Sequence, residues 1–328
     1  INFIYNLSDF HLSPMRDVGL VAAFSVMVLM DLVGNTMVIL VILLNKSMKT
    51  PMNRLLLNLA VADVTVAIFT ALQFVLGPFY QHPTGSTGAL LCKFITGGPM
   101  IWTAALVSIC NLVAISYERY QAVVLPLSGR GEITNWKLKF IIPGCWLAGF
   151  LWNIPLLVTV TYQEESGACG EYWPGPVSPI AYSLGWDVVA GILPITAMSY
   201  WYSKVVCHLW FNKTPGVKSA ATKMVILQRK RATLVVISVS IIYAICWVPV
   251  LVMYTVTHTL PNQELYSRLH RVTILLAMFN SCINPVVYSF TSTRFRTQFL
   301  RLIRCTRTAK GQLASSHKKQ QEKTIVYL

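Results

Sequence analysis

Apolar residues gather into seven long runs along the chain, and short polar breaks separate one run from the next. Crossing a hydrocarbon core about 30 Å thick takes about 20 helical residues. The runs are long enough to do so, and they predict spans at residues 17–44, 52–78, 89–121, 137–159, 180–211, 227–258 and 267–290. The pattern therefore predicts an all-α membrane protein, built as a seven-transmembrane helix bundle.

A different pattern follows the seventh run. One helical face there carries large apolar residues and the other faces carry arginines, namely Phe295, Phe299, Leu302 and Ile303 against Arg294, Arg296, Arg301 and Arg304. This is typical of a short amphipathic helix that lies on a membrane surface. We predict four parts, an extracellular N-terminus (1–16), the bundle (17–290), the amphipathic helix (291–305) and a cytoplasmic tail (306–328).

The distribution of basic residues predicts the orientation of the bundle. With the N-terminus outside, only Arg16, Lys93, Arg268 and Arg271 of the 27 Lys and Arg fall outside, which leaves 23 on the cytoplasmic side. Positive residues favour the cytoplasmic side of membrane proteins. The net charge of +15 is therefore explained by anionic inner-leaflet lipid, without a nucleic acid partner. We expect a multi-pass protein of the plasma membrane.

Four residues are candidates for covalent modification. Cys92 and Cys169 are the only two of the eight cysteines in predicted extracellular positions, so we predict a disulfide between them. Asn6 begins the sequon Asn6-Leu7-Ser8 on the outer side and is a glycosylation candidate. Cys305 ends the amphipathic segment on the cytoplasmic side and is a palmitoylation candidate.

Each predicted span also carries a short motif. The motifs are Asn35 with Val38, Leu59-Ala60-Val61-Ala62-Asp63, Glu118-Arg119-Tyr120, Trp146, Pro194 with Tyr202, Cys246-Trp247-Val248-Pro249, and Asn284-Pro285-Val286-Val287-Tyr288. Taken together and in order, they resemble the rhodopsin-like (class A) G-protein-coupled receptors. The resemblance covers nearly the whole chain, and it implies heterotrimeric G proteins and arrestin as cytoplasmic partners.

The resemblance implies an activation switch that is spread over several spans. Its residues would be Glu118, Arg119, Tyr120, Tyr202, Trp247, Pro249, Pro285 and Tyr288. Glu118 would hold Arg119 at rest and release it to a G protein when span six swings out. The prolines remove backbone hydrogen bonds and let their helices bend. From the residues alone, Arg119 is equally well explained as an arginine snorkelling at a helix end, and the tyrosines as interfacial aromatics.

In some relatives, an acid at the start of span six also restrains this arginine. The corresponding segment here, residues 228–231, reads Gln-Arg-Lys-Arg and is basic. We hypothesise that the second restraint is absent and that the protein has some basal activity.

Asp63 is a carboxylate inside an apolar run, where insertion scales assign a cost of about 2.5 to 3.5 kcal/mol. Motif counting places it at a similar depth to Asn35, Ser108, Asn280, Asn284 and Trp247. The resemblance implies a sodium ion at Asp63 that favours the inactive state. The alternative is a neutral Asp63 that shares hydrogen bonds with Asn35 and Asn284.

Asp31 lies one helical turn before Asn35, on the same face, and departs from the family pattern. Two neighbouring acids do not easily both ionise. Either Asp31 keeps a proton, or the pair with Asp63 titrates together.

Two ligand classes are excluded by missing residues. No lysine lies between residues 267 and 290, where a retinal protein needs one, and Met278 occupies the relevant position. No acid lies between Cys92 and Glu118, where aminergic receptors carry a counter-ion. Opsins and monoamine receptors therefore do not fit.

The outer surface is acidic. It has four basic residues against seven acids that lie outside or at outer helix ends. The acids are Asp9, Asp17, Glu164, Glu165, Glu171, Asp187 and Glu264. The second outer loop, TYQEESGACGEYWPGP, resembles the hairpin lid of peptide receptors. We therefore predict a neuropeptide receptor whose ligand has a basic or amidated end. The predicted pocket consists of Ile101, Trp102, Glu171, Trp173, Trp186, Asp187, Trp247 and His270; each has an ordinary alternative as a solvated charge or an interfacial aromatic.

Span three departs from the family near its outer end. Cys92 precedes Arg119 by 27 positions, two more than usual, and the excess falls at Thr96-Gly97-Gly98-Pro99. Glycine and proline interrupt helices, so we predict that the helix starts late or bulges there. The ligand-facing position is accordingly Pro99 or Ile101.

Other function classes remain as alternatives. A class A receptor for a lipid or another small, uncharged molecule would share every helix motif. A seven-span transporter fits less well, because the acids inside spans are only Asp31 and Asp63. An enzyme fits least, because no nucleophile, base and orienting acid share a face, and no cofactor is expected besides the sodium ion.

Overall fold

The computed structural model describes residues 14–125, 133–164, 167–173, 178–211, 220–260, 263–291 and 295–301. Asn6, Cys305 and the tail lie outside these ranges. We call the end of the bundle that carries the β-hairpin described below its outer end, and the opposite end its inner end.

The first two spans are long helices joined by a short turn. Helix α1 runs over Pro14–Leu44 and α2 over Pro51–Thr70, with a 3₁₀ turn at Lys46–Met48 between them. Thr50 caps α2, because its hydroxyl accepts a hydrogen bond from the Asn53 amide at 3.3 Å. The second span continues outward as a π-helical segment, Ala71–Leu76, and a 3₁₀ turn, Gly77–Phe79.

The third span is built in two pieces. Helix α3 covers Gly85–Leu91, a π-helical segment covers Cys92–Thr96, and α4 covers Pro99–Val124. The break falls on Gly97 and Gly98. Gly98 has a φ of 97°, a backbone angle that residues with a side chain rarely adopt. The sequence predicted a late start or a bulge at this point. The structure has a π-helical bulge at Cys92–Thr96 followed by an interruption at the two glycines, and the span continues outward to Gly85.

The fourth span is also interrupted. Helix α5 covers Asn135–Trp152 and α6 covers Ile154–Thr159, with buried Asn153 at the turn between them. Six of the described spans are long and apolar enough to cross a membrane by length and composition, and this one is not among them. The break at Asn153 shortens α5, and Lys137 and Lys139 in its first turns lower its hydropathy.

A two-stranded hairpin covers the outer end. Strands β1, Val160–Gln163, and β2, Ala168–Glu171, pair antiparallel with Tyr162 opposite Cys169. A disulfide joins Cys92 to Cys169, with the Cα atoms 5.4 Å apart. The predicted disulfide is therefore confirmed, and it ties the hairpin to the top of span three.

The last three spans complete the bundle. Helix α7, Pro179–Trp186, a π-helical segment, Asp187–Ile192, and α8, Leu193–Val206, form the fifth span with a final π-helical segment at Cys207–Phe211. Helix α9 covers Ala220–Thr259 and therefore begins seven positions before the predicted span. Helix α10 covers Gln263–Thr291.

Residues 295–301 are helical, within the predicted amphipathic segment. Phe295 is buried and meets the ring of Tyr288 edge-on, 6.4 Å between centroids, whereas Arg296 and Arg301 are exposed. The short helix thus packs its apolar side against the inner end of α10.

At two of the span prolines, a backbone carbonyl lacks its helical hydrogen bond and accepts one from a side chain of another helix instead. A proline cannot donate to the carbonyl four residues earlier. Tyr243 donates to the Ala190 carbonyl, four residues before Pro194. Asn35 Nδ2 donates to the Ser281 carbonyl, four residues before Pro285, at 3.3 Å. Both bends are therefore held by contacts between helices.

Buried amides link α2, α4 and α5. Trp146 Nε1 donates to Asn58 Oδ1 at 3.1 Å, and Asn58 Nδ2 donates to Asn111 Oδ1 at 3.0 Å. Because these groups are satisfied inside the bundle, they fix the relative positions of three helices that carry the site.

Candidate functional site

An aromatic cavity lies below the hairpin, between α4, α6, α7, α9 and α10. It holds about 320 Å³ including its open mouth, and its lining residues are Trp102, Leu156, Trp186, Trp247, Val250, Leu251, Tyr254 and His270. We call it the tryptophan cavity. Four of these residues, Trp102, Trp186, Trp247 and His270, belong to the pocket predicted from sequence.

The three tryptophans meet edge to face. The ring of Trp102 lies 6.1 Å from that of Trp186 and 6.4 Å from that of Trp247 between centroids. Such contacts between aromatic rings add to the stabilisation from burial. The three rings therefore form one connected wall.

A lower cavity connects this wall to the middle of the bundle. Its lining includes Ile101, Trp102, Ser108, Trp247 and Asn280. Trp102 and Trp247 line both cavities, so a ligand that displaces either ring changes the space above the buried polar groups. Ile101 lines this lower cavity, whereas Pro99 is not among the lining residues of either cavity.

Glu171 is a carboxylate that bonds to the wall of the tryptophan cavity through Tyr254. Its Oε2 accepts hydrogen bonds from Trp173 Nε1 at 2.9 Å and from the hydroxyl of Tyr254 at 3.3 Å, and His258 Nε2 lies 3.9 Å away. Its side chain is only 14% exposed. Burial raises the pKa of Glu171 from an ordinary value of 4.5 to about 7, although the two hydrogen bonds oppose the rise.

Three predicted pocket residues line neither of these cavities, namely Glu171, Trp173 and Asp187. Asp187 accepts a hydrogen bond from Thr255 Oγ1 at 2.9 Å, which joins the fifth span to α9, and it does not line the described cavities. Trp173 packs against Tyr182, 5.2 Å between centroids, and holds Glu171 instead of facing the cavity. The sequence placed Trp173 and Asp187 at the outer end, but it did not reveal their hydrogen-bond partners, which the structure shows to be Glu171 and Thr255.

Asp63 is completely buried and accepts three hydrogen bonds. Ser108 Oγ and Ser281 Oγ donate to Oδ1 at 2.9 and 3.1 Å, and Asn284 Nδ2 donates to Oδ2 at 2.9 Å. Asn35 does not bond to Asp63. Its Nδ2 donates to Asp31 Oδ1 at 2.5 Å and to the Ser281 carbonyl. The buried cluster thus has two acids, linked through Asn35 and Ser281.

Unpartnered oxygens surround this cluster. Among the described residues, four buried side-chain oxygens there accept no hydrogen bond, namely Asp31 Oδ2, Asn35 Oδ1, Asn280 Oδ1 and Asn284 Oδ1. Carboxylate and amide oxygens are the ligands that hard cations prefer. The donor set therefore fits a sodium ion, with Asp63 supplying the charge.

The inner end holds Glu118, Arg119, Tyr120 and Tyr202 of the predicted switch, whereas Trp247 lines the two cavities. Glu118 Oε2 bonds to Arg119 through Nε at 2.6 Å and Nη2 at 2.5 Å. Tyr202 accepts a hydrogen bond from Ser240 Oγ at 3.4 Å. Tyr120, next to Arg119 in sequence, is half-buried. The arrangement is a paired arginine at the inner mouth of the bundle.

Comparison with known proteins decides the family. The sequence profile described as "7 transmembrane receptor (rhodopsin family)" matches residues 34–288, well over half of the chain. The chain belongs to the rhodopsin family of seven-transmembrane receptors. The resemblance inferred from the motifs is confirmed, and the protein is a multi-pass, all-α membrane receptor.

Several curated receptors are similar to this rhodopsin-family chain over most of its length. Neuropeptide receptor 22 of Caenorhabditis elegans is 27% identical over 318 residues, covering 88% of this chain and 70% of its own. The QRFP-like peptide receptor of Branchiostoma floridae is 28% identical, covering 90% and 80%. The substance-P receptor of Cavia porcellus is 29% identical, covering 87% and 70%.

Sequence reasoning missed two residues that connect this receptor's sites. Tyr254 lines the tryptophan cavity and bonds to Glu171, and no motif marks it. Ser281 bonds to Asp63 through its hydroxyl and to Asn35 through its carbonyl. Its position four residues before Pro285 was a usable signal, because that carbonyl necessarily loses its helical partner.

Proposed function

We propose that this rhodopsin-family receptor binds a neuropeptide at its outer end and activates heterotrimeric G proteins at its inner end. It acts at the plasma membrane, with the N-terminus outside. The observation that carries the proposal is Glu171, a nearly buried carboxylate held between the hairpin and Tyr254 at the edge of the tryptophan cavity. A basic or amidated peptide end can donate to this carboxylate while its aromatic or aliphatic residues enter the cavity.

The similar receptors support a peptide ligand. Their names describe receptors for neuropeptides, for a QRFP-like peptide and for substance P. The acidic outer surface supports the same ligand class, because it attracts basic peptides. The hairpin supports it too, since a disulfide-anchored β-sheet offers backbone groups as well as side chains to an extended peptide.

A path for transmission follows from the shared tryptophans. A ligand that moves Trp247 alters the lower cavity, which borders Ser108 and Asn280 beside Asp63. A sodium ion held by Asp63 would stabilise the arrangement of α2 and α10 seen here. Its loss would free α10 to bend at Pro285, and the pair of Glu118 and Arg119 would then open for a G protein. Arrestin would bind the same mouth, and inner-leaflet lipid would bind the basic segment that ends at Cys305.

One observation favours a second candidate. The tryptophan cavity is lined almost wholly by apolar side chains, as in sites for lipids or other uncharged molecules. In that case Glu171 would remain bonded to Trp173 and Tyr254 and would not contact the ligand.

The test is a G-protein activation screen in cells that express the chain. Pools of neuropeptides, in amidated and free-acid forms, are compared with lipid extracts, and nucleotide exchange on the G protein is measured. Activation by a peptide pool that Glu171→Gln weakens supports the proposal. The matched control is Glu164→Gln, which removes an exposed acid of the same hairpin. Activation by lipid extracts alone, unaffected by Glu171→Gln, would establish the second candidate instead.

A further inference from the structure

A second cavity opens at the outer end, apart from the tryptophan cavity. It lies between the outer part of span two, the Cys92–Cys169 disulfide, the hairpin turn and α10, and holds about 650 Å³ including its mouth. Its polar lining residues are Gln73, Tyr80, His82, Thr96 and Arg271. We call it the arginine cavity.

Arg271 is a buried cation in the wall of this cavity. It is only 8% exposed, and its Nε has no hydrogen-bond partner. Within the described ranges, no carboxylate lies at ion-pair distance from it. A buried charge without a counter-charge is strongly unfavourable. Among the described residues the guanidinium thus has no counter-charge, and it lies in the wall of a cavity that is open to the outside.

Helix geometry directs Arg271 and its neighbour to different cavities. Successive helical residues point about 100° apart. His270 lines the tryptophan cavity and Arg271 lines the arginine cavity. The top of α10 thus separates the two cavities, and one extended ligand can reach both by crossing it.

Two further polar atoms around the arginine cavity lack partners. Gln73 Oε1 and His82 Nδ1 are buried and make no hydrogen bond among the described residues. His82 is held in place, because its Nε2 lies 3.2 Å from the Tyr80 hydroxyl and its ring packs on that of Tyr80, 4.9 Å between centroids. Burial lowers the pKa of His82, so the ring is neutral near pH 7. An arginine fork beside an amide oxygen and an imidazole suits a carboxylate next to a peptide N–H.

We propose that the arginine cavity binds a carboxylate of the peptide ligand, held by the Arg271 guanidinium with Gln73 accepting from an adjacent amide N–H. The inference rests on the proposed function, and it adds an anionic group to the ligand described there. The carboxylate is either a free C-terminus or an Asp or Glu side chain. The acidic outer surface repels free anions, so the cavity selects a carboxylate that arrives on a ligand with a basic group as well.

Small probes test the site without an agonist or a G protein. The purified receptor in lipid nanodiscs is heated with millimolar N-acetylglycine, N-acetylglycinamide or N-acetylaspartate methylamide, and unfolding is followed by tryptophan fluorescence. The first probe represents a C-terminal carboxylate, the second its uncharged equivalent and the third a side-chain carboxylate. We expect one or both carboxylates to raise the unfolding midpoint, since ligands that bind the folded state stabilise it, and the amide to leave it unchanged.

The decisive variant is Arg271→Met, which keeps an apolar stem and removes the charge. We expect it to lower the apparent affinity for the carboxylate probe about tenfold or more. Its unfolding midpoint without probe should be equal to or above that of wild type, because an unpaired buried charge is gone. A purely structural arginine would give the opposite change. Arg268→Gln, an equal loss of charge one turn earlier on α10, is the matched control and should retain the probe response.

The possible results separate the two proposals. No stabilisation by either carboxylate, equal stabilisation by the amide, or an unchanged response in Arg271→Met would each overturn the arginine cavity as an anion site, whatever the peptide screen shows. If the carboxylate probes stabilise the receptor through Arg271 but no peptide pool activates it, the anion site stands and the proposal of a peptide ligand is overturned. Should Arg271→Met not fold, Gln73→Leu provides the same test, with an expected severalfold loss of probe affinity.

Discussion

Asn284 on α10 donates a hydrogen bond from Nδ2 to Asp63 Oδ2 on α2, with 2.9 Å between the two atoms. Asn284 directly precedes Pro285, the residue at which α10 lacks a backbone hydrogen bond. The bond therefore ties a helix that can bend to a carboxylate that cannot move far. Any bending of α10 at Pro285 must stretch or break this contact, so the state of Asp63 and the shape of α10 are coupled.

Sodium should lower agonist affinity, and Asp63→Asn should abolish this effect. The carboxylate supplies the charge that holds the ion, and the neutral amide does not. We expect sodium to weaken agonist binding in wild type about fivefold or more, measured by agonist competition in sodium and in a large organic cation.

Glu164→Gln is the matched control for the sodium effect, because it removes a carboxylate that is exposed on the hairpin and is not part of the buried cluster. We expect the sodium effect to persist in this variant. Equal sodium sensitivity in wild type and Asp63→Asn would rule out an ion at Asp63 and leave the hydrogen-bonded neutral acid as the explanation.

The response to a basic ligand should depend on pH through Glu171. Its pKa is raised to about 7, so the carboxyl is largely neutral at about pH 6 and largely ionised at about pH 8. We therefore expect agonist potency to rise across that interval and the rise to disappear in Glu171→Gln. Since His258 lies 3.9 Å away, His258→Asn is measured alongside. A rise that survives in Glu171→Gln but not in His258→Asn would assign the titration to the histidine.

The raised pKa of Glu171 also affects the stability of the folded protein. Stability should fall with rising pH, whereas agonist potency should rise. A raised folded-state pKa means that the folded protein holds the proton more tightly than the unfolded chain. This contribution to the free energy of unfolding is full below about pH 4.5 and is lost as pH rises to about 7. The unfolding midpoint of wild type should accordingly fall between these values relative to that of Glu171→Gln.

Gly98→Ala should destabilise the receptor by about 1 to 2 kcal/mol, because an alanine at this position must adopt a left-handed φ of 97°. The added Cβ would also lie 3.2 Å from Gln73 Oε1. Gly19→Ala is the control, since nothing lies within 4 Å of its added carbon. Thermal unfolding of both variants is the measurement. If the two variants have the same unfolding midpoint, a side chain at position 98 does not strain the interruption of span three.

Glu118→Gln should raise signalling in the absence of agonist. The charged pair with Arg119 has distances of 2.5 and 2.6 Å, and a glutamine keeps one hydrogen bond but loses the charge. The basic residues 228–231 offer no replacement acid. We expect basal nucleotide exchange to be detectable in wild type and several times higher in the variant. Signalling in wild type at the level of untransfected cells would contradict the idea of a loosely restrained resting state.

The architecture could be predicted from sequence because the membrane imposes it. Long apolar runs have to become helices, as every backbone group must bond within its own span. The pair of Cys92 and Cys169 could be predicted because topology left only these two cysteines outside. The interruption of span three was predictable as to place but not form, since Gly97 and Gly98 allow several backbone paths.

The pocket was only partly predictable, for a physical reason. Trp102, Trp186 and Trp247 are large and lie near outer helix ends or a proline, so their presence in the wall followed from span positions. Whether Glu171 or Asp187 faces a ligand depends instead on partners far along the chain. Glu171 is bonded by Tyr254, which lies 83 positions along the chain and lines the tryptophan cavity, whereas Asp187 is bonded by Thr255, 68 positions along the chain. No local pattern reports such contacts.

The most direct test of the account is peptide-stimulated nucleotide exchange on purified G protein, with the receptor reconstituted in nanodiscs. The account predicts that at least one neuropeptide pool accelerates exchange in wild type, that Arg119→Ala abolishes the acceleration, and that Glu171→Gln lowers the potency. If no peptide pool accelerates exchange in wild type, the proposed function is contradicted. It is also contradicted if the acceleration persists unchanged in Arg119→Ala.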